Sequence, residues 1–390
     1  MSVLRFFALV LIFGAVSVAW MVLGTSMWVR TEMLDDSLSR EMNSLWGPEV
    51  LAQAAPFVAS DAKAPREGGT AALAGSEITA DIRHEHRYKG LLWYSTFTLK
   101  FEGKYTVPAA VPGDEAGAGR FFLFPLPRGV TAYDDLRIAV DDAAAAIRQA
   151  DVAAGRIVAT LDPAKEQVVT VNYVTTGRDV WLYTPGDPPD PGGRNEDRVF
   201  SSSGPPGELR DFSLTISTDF REIDYPKGTR SPSERAEPRD GGVTATWRYT
   251  NARTNQAMGI AVPNRPNAGP IVARMSFFAP VSLLFFFAVL FTVVVLRKIP
   301  LHPMHYLFIA AGFFAFHILM AYLADLIPIQ PAFWVCAAVS VFLVVSYMRL
   351  VAGVKFAVLF VGLAQMVYLV GFSYAFFWAG RTGLAVTIGA

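Results

Sequence analysis

The chain has 390 residues, of which 52% are hydrophobic and only 17% are charged, a composition too apolar for an ordinary soluble protein of this length. Its 34 basic residues balance its 34 acidic residues without forming a basic cluster, so nucleic acid is not expected as a partner. The single cysteine, Cys336, excludes a disulfide within the chain and a zinc site built from cysteines.

The first predicted element is an apolar helix that follows Arg5. Residues 6–27 carry no charge and are long enough to cross a hydrocarbon core of about 30 Å. Ser17–Ala19 has the small-x-small pattern of a signal-peptide cleavage site, so a cleaved signal peptide is the alternative. Because the apolar run continues beyond this site, an uncleaved transmembrane anchor over residues 1–29 is favoured.

The next segment, residues 30–59, is predicted to form an amphipathic helix that leaves the membrane. Apolar side chains recur there near helical spacing, at Met33, Leu34, Leu38, Met42 and Leu45. Gly47 and Pro48 then provide a helix stop.

Residues 60–274 are predicted to form a large extracytoplasmic all-β domain, inserted between the first and second membrane spans. Short runs of alternating apolar and polar residues, rich in Val, Thr, Tyr and Trp, occur at 91–101, 156–161, 167–176, 212–220 and 242–250. Gly, Pro and Asp separate these runs and no long helix intervenes, which favours one or two β-sandwich lobes. The polar stretches 184–198 and 227–242 are predicted to be loops, and the acidic residues of the first lack the spacing of an EF-hand calcium loop.

Residues 275–390 are predicted to form a bundle of transmembrane helices. Four apolar runs are long enough to span a bilayer, at 277–296, 306–327, 332–348 and 356–378. A further apolar run at 382–390 is too short to span, which predicts either an incomplete fifth helix or a chain that lacks a C-terminal piece.

The basic residues of the short loops predict the direction of the spans. One loop contains Arg297 and Lys298, another is bounded by Arg349 and Lys355, and the loop at 328–331 has no charge. Since basic residues in short loops stay in the cytoplasm, the N-terminus is predicted to be cytoplasmic and residues 30–274 to lie outside, in the periplasm of a bacterium.

No metal, cofactor or catalytic site is predicted. His84 and His86 would share one face of a strand, but no third ligand follows at a typical spacing and the neighbouring residues are basic. No nucleophile, zinc-protease, phosphate-loop or dinucleotide motif is found, so the chain is not expected to be an enzyme.

The start of the third span is predicted to mark the membrane surface. His302 and Pro303 open this helix, where a proline in the first turn loses no hydrogen bond. His305 and Tyr306 are predicted to lie at the same headgroup level, with Tyr306 as an interfacial anchor.

Two polar residues further along this span, His317 and Asp325, are candidate functional residues within the membrane. His317 is predicted near the middle of the bilayer and Asp325 at the face opposite His302. A structural hydrogen bond from His317 to a neighbouring helix is favoured, and handling of a proton or a ligand is the alternative.

The segment LHPMHYLFIAAGFFAFHILMAYLADLI, residues 301–327, resembles the inner membrane protein CreD family, in which a His-Pro dipeptide opens a helix that ends in an acidic residue. SFFAPVSLLFFF, VSYMRLVAGVKFAVLF and TGLAVTIGA are similar to the adjoining family spans, and LSREMNSLWGP and residues 86–108 are similar more weakly. The family differs in having Glu-His where this chain has Asp325 and Leu326, and in a further span with a basic tail.

The resemblance implies a bacterial inner-membrane protein linked to envelope integrity, colicin tolerance and the response to envelope stress. It supplies no catalytic residues. We therefore expect a non-enzymatic protein whose β-domain binds a periplasmic ligand or partner, without a cofactor, and whose partners are the lipid bilayer and other membrane or periplasmic envelope proteins. The alternative is a membrane transporter or signal transducer that uses His317 and Asp325.

Overall fold

The computed structural model describes residues 3–63, 73–89, 92–110, 119–186, 200, 206–238, 241–264, 267–378, 383 and 387. The chain divides into two compact units. Residues 1–37 and 266–390 form the first, here named the helical unit, and Leu38–Arg265 form the second, here named the β unit. Most of the predicted loop at 184–198 and of the predicted partial helix at 382–390 lies outside the described residues.

Helix α1 (Val3–Trp46) is one continuous helix of 44 residues. The expected boundary between an anchor at 1–29 and a separate helix at 30–59 lies inside it. The sequence between Thr25 and Trp46 has no glycine or proline, so nothing interrupts the backbone hydrogen bonds. Gly47 ends the helix as predicted, with a φ of 93° in a position where a Cβ would lie 2.5 Å from the carbonyl oxygen of Thr176.

The β unit contains fourteen described strands and one short helix. These are β1 (Val50–Ala54), β2 (Phe57–Ala59), β3 (Gly75–Lys89), β4 (Leu92–Val107), β5 (Arg120–Pro125), β6 (Asp134–Val140), β7 (Ala143–Ala144), α2 (Gln149–Ala153), β8 (Arg156–Leu161), β9 (Gln167–Arg178), β10 (Val180–Thr184), β11 (Gly207–Thr218), β12 (Glu234–Ala236), β13 (Val243–Thr254) and β14 (Met258–Ala261).

The described strands form three sheets. The largest has the order β12-β13-β11-β3-β4-β9-β6-β7, and two smaller sheets have the orders β1-β10-β14 and β2-β5-β8. Its centre is the long antiparallel pair of β3 and β4, in register from Gly75 opposite Thr106 to Lys89 opposite Leu92. A large β region is thus present, as the sequence predicts.

Strands β1 and β2 replace helix in the second half of the segment 30–59. β1 pairs in parallel with β10, with Val50 opposite Val180. This partner lies far away in the sequence, and a parallel pair needs a long connection between its strands. The pairing therefore left no local pattern from which β1 could be predicted.

One hydrophobic core receives buried side chains from all three sheets, including Leu51, Val58 and Phe101. Phe101 is 1% exposed and its ring stacks on that of Tyr173, with centroids 4.8 Å apart. The hydroxyl of Tyr173 donates a hydrogen bond of 2.7 Å to Oε1 of Gln53, and Nε2 of Gln53 donates to the carbonyl oxygen of Pro125. Hydrogen bonds thus satisfy polar groups that the core buries.

The helical unit adds four long helices to the first part of α1. They are α3 (Ala268–Leu296), α4 (Pro303–Leu323), α5 (Ile329–Ala352) and α6 (Val354–Phe377). All four overlap the predicted C-terminal spans. Among the described residues, these helices and α1 are five that are long and apolar enough to cross a membrane, which fits a multi-pass membrane protein.

Helix α6 is irregular, because residues Ala357–Gly362 and Met366–Gly371 adopt π-helical turns. Gly353, with a φ of 85°, separates α6 from α5. Leu363–Gln365 lie between the two π-helical turns, which are rare in proteins and frequently occur at functional sites.

Candidate functional site

The predicted membrane-surface residues lie at the start of α4. His302 is the N-cap of this helix, and its Nδ1 accepts a hydrogen bond of 3.3 Å from the backbone N–H of Met304. Pro303 occupies the first turn, where its missing N–H leaves no hydrogen bond unmade. The His-Pro pair therefore caps and starts the helix.

His305 and Tyr306 contact different neighbouring helices. Nδ1 of His305 lies 2.8 Å from the hydroxyl oxygen of Tyr347 on α5. Tyr306 is 1% exposed, and its ring meets that of Phe287 on α3 edge to face, with centroids 5.3 Å apart. Tyr306 thus packs between helices, and its predicted position at the headgroup level stays a prediction.

His317, on α4, is buried where this helix packs against α1. Its side chain is 1% exposed, and Nδ1 lies 3.1 Å from the carbonyl oxygen of Phe313. Since a carbonyl oxygen only accepts hydrogen bonds, Nδ1 carries a proton and Nε2 is left as an acceptor in the neutral ring. Nε2 has no hydrogen-bond partner among the described residues.

The ring of Trp20, on α1, packs against the ring of His317. The two rings meet edge to face, with centroids 5.6 Å apart. Trp20 is fully buried, and its Nε1–H also lacks a partner in the described part of the chain. The contact between α1 and α4 thus buries one unpaired donor and one unpaired acceptor.

Asp325 has a separate partner. Its carboxylate, just beyond the end of α4, forms an ion pair and a hydrogen bond with the guanidinium of Arg30 on α1. Eight residues separate His317 from Asp325, a rise of about 12 Å on a helix, so the two side chains do not share a site. The structure instead pairs each of them with α1.

Gln365 on α6 is a buried polar residue that the sequence analysis missed. It lies between the two π-helical turns and is fully buried. Its Nε2 donates to Oγ of Ser340 on α5 at 2.9 Å, and this hydroxyl donates to the carbonyl oxygen of Gly312 on α4 at 2.7 Å. A lone amide within the uncharged run 356–378 was the available signal.

In the β unit, His84 and His86 lie on β3 with ring centroids 4.3 Å apart and nearly perpendicular planes. The ring of His84 also meets that of Phe220 edge to face. Across the residues that the structure describes, no group of three His, Cys, Asp or Glu side chains could hold a metal ion.

A comparison with protein-family models concerns the β13–β14 region and the membrane helices. Residues 238–376 match the sequence model described as Inner membrane protein CreD. The predicted resemblance to the CreD family is confirmed. The CreD-like region, residues 238–376, contains α3, α4 and α5 together with nearly all of α6.

Other comparisons add little. No curated protein matches the chain. Among solved structures, aminopeptidase A of Legionella pneumophila in complex with aspartic acid aligns with 53% of this chain and 22% of its own, at 11% identity and a TM-score of 0.29. A TM-score this low carries no argument about fold or activity.

Proposed function

We propose that the chain is a non-enzymatic protein of the bacterial inner membrane, of the CreD type, that maintains the cell envelope or acts in its stress response. The observation that carries the proposal is the match of residues 238–376, which joins the last strands of the β unit to the membrane helices. In this proposal, the helical unit anchors the protein and the β unit binds a periplasmic partner or envelope component.

The charges of the loops support a periplasmic β unit. Arg297 and Lys298 lie in the link from α3 to α4, and Arg349 and Lys355 flank the turn at Gly353 between α5 and α6, whereas the link from α4 to α5, residues 324–328, has no basic residue. The positive-inside rule assigns the two basic links to the cytoplasm. An odd number of spans then separates the β unit from that side.

The surface of the β unit is compatible with the binding role proposed for it. Its three sheets contribute side chains to one core, and its longest described strand, β4, exposes the charged side chains of Lys100, Glu102 and Lys104. Such a scaffold can present a polar surface to a partner without chemistry of its own.

Photo-crosslinking in native membranes tests this proposal. A photoreactive amino acid would replace Lys100 in the full-length protein, and crosslinked products would be identified by mass spectrometry. We expect periplasmic or envelope proteins, or envelope polymers, in the products. The matched control replaces Lys298, which should yield only cytoplasmic neighbours; cytoplasmic products from Lys100, or none, would contradict the proposal.

A second candidate function is transport or signal transduction through the helical unit. The observation in its favour is the contact of His317 with Trp20, where two buried polar atoms have no described partner. His317→Leu in the full-length protein should then abolish the envelope phenotype, while Phe316→Leu, a buried control on the same helix, should not. If both variants are made at normal levels and both support the phenotype, this function loses its support.

A further inference from the structure

A long apolar groove lies between α5 and α6. It has a volume of about 890 Å³. The residues that line it include Trp334, Ala338 and Phe342 on α5 and Val358, Leu363 and Met366 on α6. Several of these side chains are exposed, Phe342 by 71% and Leu363 by 63%, so the groove opens on the outer surface of this unit, where a membrane protein meets lipid.

The groove has one charged end. Among the described residues that line it, Arg349, in the last turn of α5, is the one charged residue, and Ser346 lies one turn earlier. From Trp334 to Arg349 the helix rises about 22 Å, more than one leaflet of a hydrocarbon core about 30 Å thick. The apolar part of the groove thus begins next to the cationic side chain of Arg349.

The cation at this end is available to a ligand. Arg349 is exposed, and its guanidinium makes no hydrogen bond or ion pair with any described residue. Lys355, at the start of α6, is exposed as well, and Arg297, just beyond the end of α3, lies over the ring of Phe360, 5.1 Å from its centroid. Positive charge therefore gathers where the groove reaches the membrane surface.

We propose that this groove binds an anionic phospholipid, with an acyl chain along α5 and α6 and the headgroup phosphate on Arg349. The order of the groove, one charge followed by a long apolar channel, is the order of such a lipid. The planar guanidinium matches the geometry of a phosphate through two parallel hydrogen bonds. A transmembrane helix of a partner would fit the apolar part, but it would need an acidic residue opposite Arg349.

Native mass spectrometry of the full-length protein tests the proposal. The protein would be stripped of lipid in detergent and titrated with phosphatidylglycerol or with phosphatidylcholine of the same acyl chains. We expect one phosphatidylglycerol to bind in preference to phosphatidylcholine. Arg349→Gln should weaken phosphatidylglycerol binding about fivefold, because one basic residue at an anionic membrane surface contributes a factor of this size.

Lys298→Gln is the matched control for charge. It removes a cation from the link between α3 and α4, outside the groove, and should leave the affinity for phosphatidylglycerol unchanged. Equal losses for Arg349→Gln and Lys298→Gln, or no loss for either, would overturn the proposal.

A second pair of variants examines the apolar channel. Ala338→Trp fills the groove and should reduce the binding of both lipids, whereas Leu284→Trp, on the exposed face of α3, should not. If Ala338→Trp does not fold, Arg349→Gln decides alone. A photoreactive residue at position 358 should label lipid; labelling of a protein chain in its place would assign the groove to a helix, including one from a second copy, and would reject the lipid.

Discussion

The β unit and the helical unit differ in the side chains that they expose. Along β4, the apolar Leu99 and Phe101 are buried, while the polar Thr98 and Lys100, which alternate with them, are exposed. On α5, Phe342 is 71% exposed although it is as apolar as any residue of either core. The difference shows that water faces one unit and that lipid suits the other.

This difference implies different sources of stability. Removal of apolar surface from water drives the packing of the β unit. Between membrane helices that force is absent, so close packing and polar contacts hold the helices together. The bond from Ser340 to Gly312 and the ion pair of Arg30 with Asp325 are contacts of this second kind.

The largest expected effect comes from removing a phenylalanine ring in each unit. Phe101→Ala should destabilise the β unit by about 3–5 kcal/mol, because it leaves a cavity in a packed core. Phe342→Ala should cost much less, since lipid can occupy the space. Thermal unfolding of the full-length protein in detergent, followed by tryptophan fluorescence, measures both; similar losses would break the contrast between the two surfaces.

A charge on each exposed surface should give the reverse order. Phe342→Lys should disfavour membrane insertion of α5 by about 2.5–3.5 kcal/mol, since position 342 lies near the middle of the helix. Thr98→Lys on the exposed face of β4 should change stability by less than about 0.5 kcal/mol. Glycosylation mapping reports insertion of α5, and an inserted Phe342→Lys helix would show that this face does not meet lipid.

Removal of a single hydroxyl group from the core of the β unit should lower the stability of that unit. Tyr173→Phe leaves Oε1 of Gln53 buried without its donor, which should cost about 1–3 kcal/mol. Burial raises the pKa of Tyr173 well above 10.0, so the hydroxyl is protonated and the donor is present at neutral pH. Denaturant unfolding measures the loss. Tyr249→Phe is the control, because its hydroxyl bonds to no described residue, and equal losses would remove the role of Gln53.

The ion pair between Arg30 on α1 and Asp325, just beyond α4, should be worth about 1–2 kcal/mol, between the values of exposed and buried pairs. The side chains of Arg30 and Asp325 are 37% and 18% exposed, so water screens them in part. A double-mutant cycle of Arg30→Gln and Asp325→Asn, read by thermal unfolding, isolates the coupling. Additive effects of the two substitutions would mean that the pair does not hold α1.

The smallest expected effect depends on pH. The hydrogen bond from the Gln167 side chain, and then that from the backbone N–H of Val168, hold the pKa of Asp141 below its ordinary 3.8. The folded state therefore favours the carboxylate, and its contribution to stability is present above pH 3.8 and is lost as the pH falls through the lowered pKa.

Asp141→Asn should thus lower the melting temperature at pH 7 and should have less effect at pH 3. The neighbouring Asp142→Asn is the matched control, because both residues have a positive φ, which asparagine tolerates. The same loss at both pH values would exclude the carboxylate as the cause.

The sequence predicted the elements that have a clear local pattern, which is alternation for strands and a long apolar run for membrane spans. Strands β4, β8, β9, β11 and β13 were predicted from alternation, and the four C-terminal spans from their length and apolar composition. Strand β10, VWLYT, is a continuous apolar run that is mostly buried, and it lies between β1 and β14 in its sheet. It lacks the alternation of a half-buried strand, so it could not be told from a buried helical segment.

In the candidate site as well, local features were predicted and contacts between distant residues were not. The start of α4 at His302 and Pro303 is a local feature and was predicted from these adjacent residues; the N-cap hydrogen bond of His302 required the structure. The partner of Asp325 is Arg30, which is 295 residues away, and Trp20 reaches His317 in the same way through the packing of α1. No spacing rule links such residues, so the contacts of α1 required the structure.

The hydrogen bonds around Ser340 suggest an order for the assembly of the bundle during synthesis. The hairpin of α4 and α5 already contains the bond from Ser340 to the carbonyl oxygen of Gly312, at a point where a Cβ on Gly312 would lie 2.3 Å from Val344. Helix α6 is synthesised later, and Nε2 of its Gln365 donates a hydrogen bond to Oγ of Ser340 on that hairpin. Docking on a completed hairpin therefore gives this amide a partner that lipid alone does not offer, so the hairpin serves as a template for the helix that follows it.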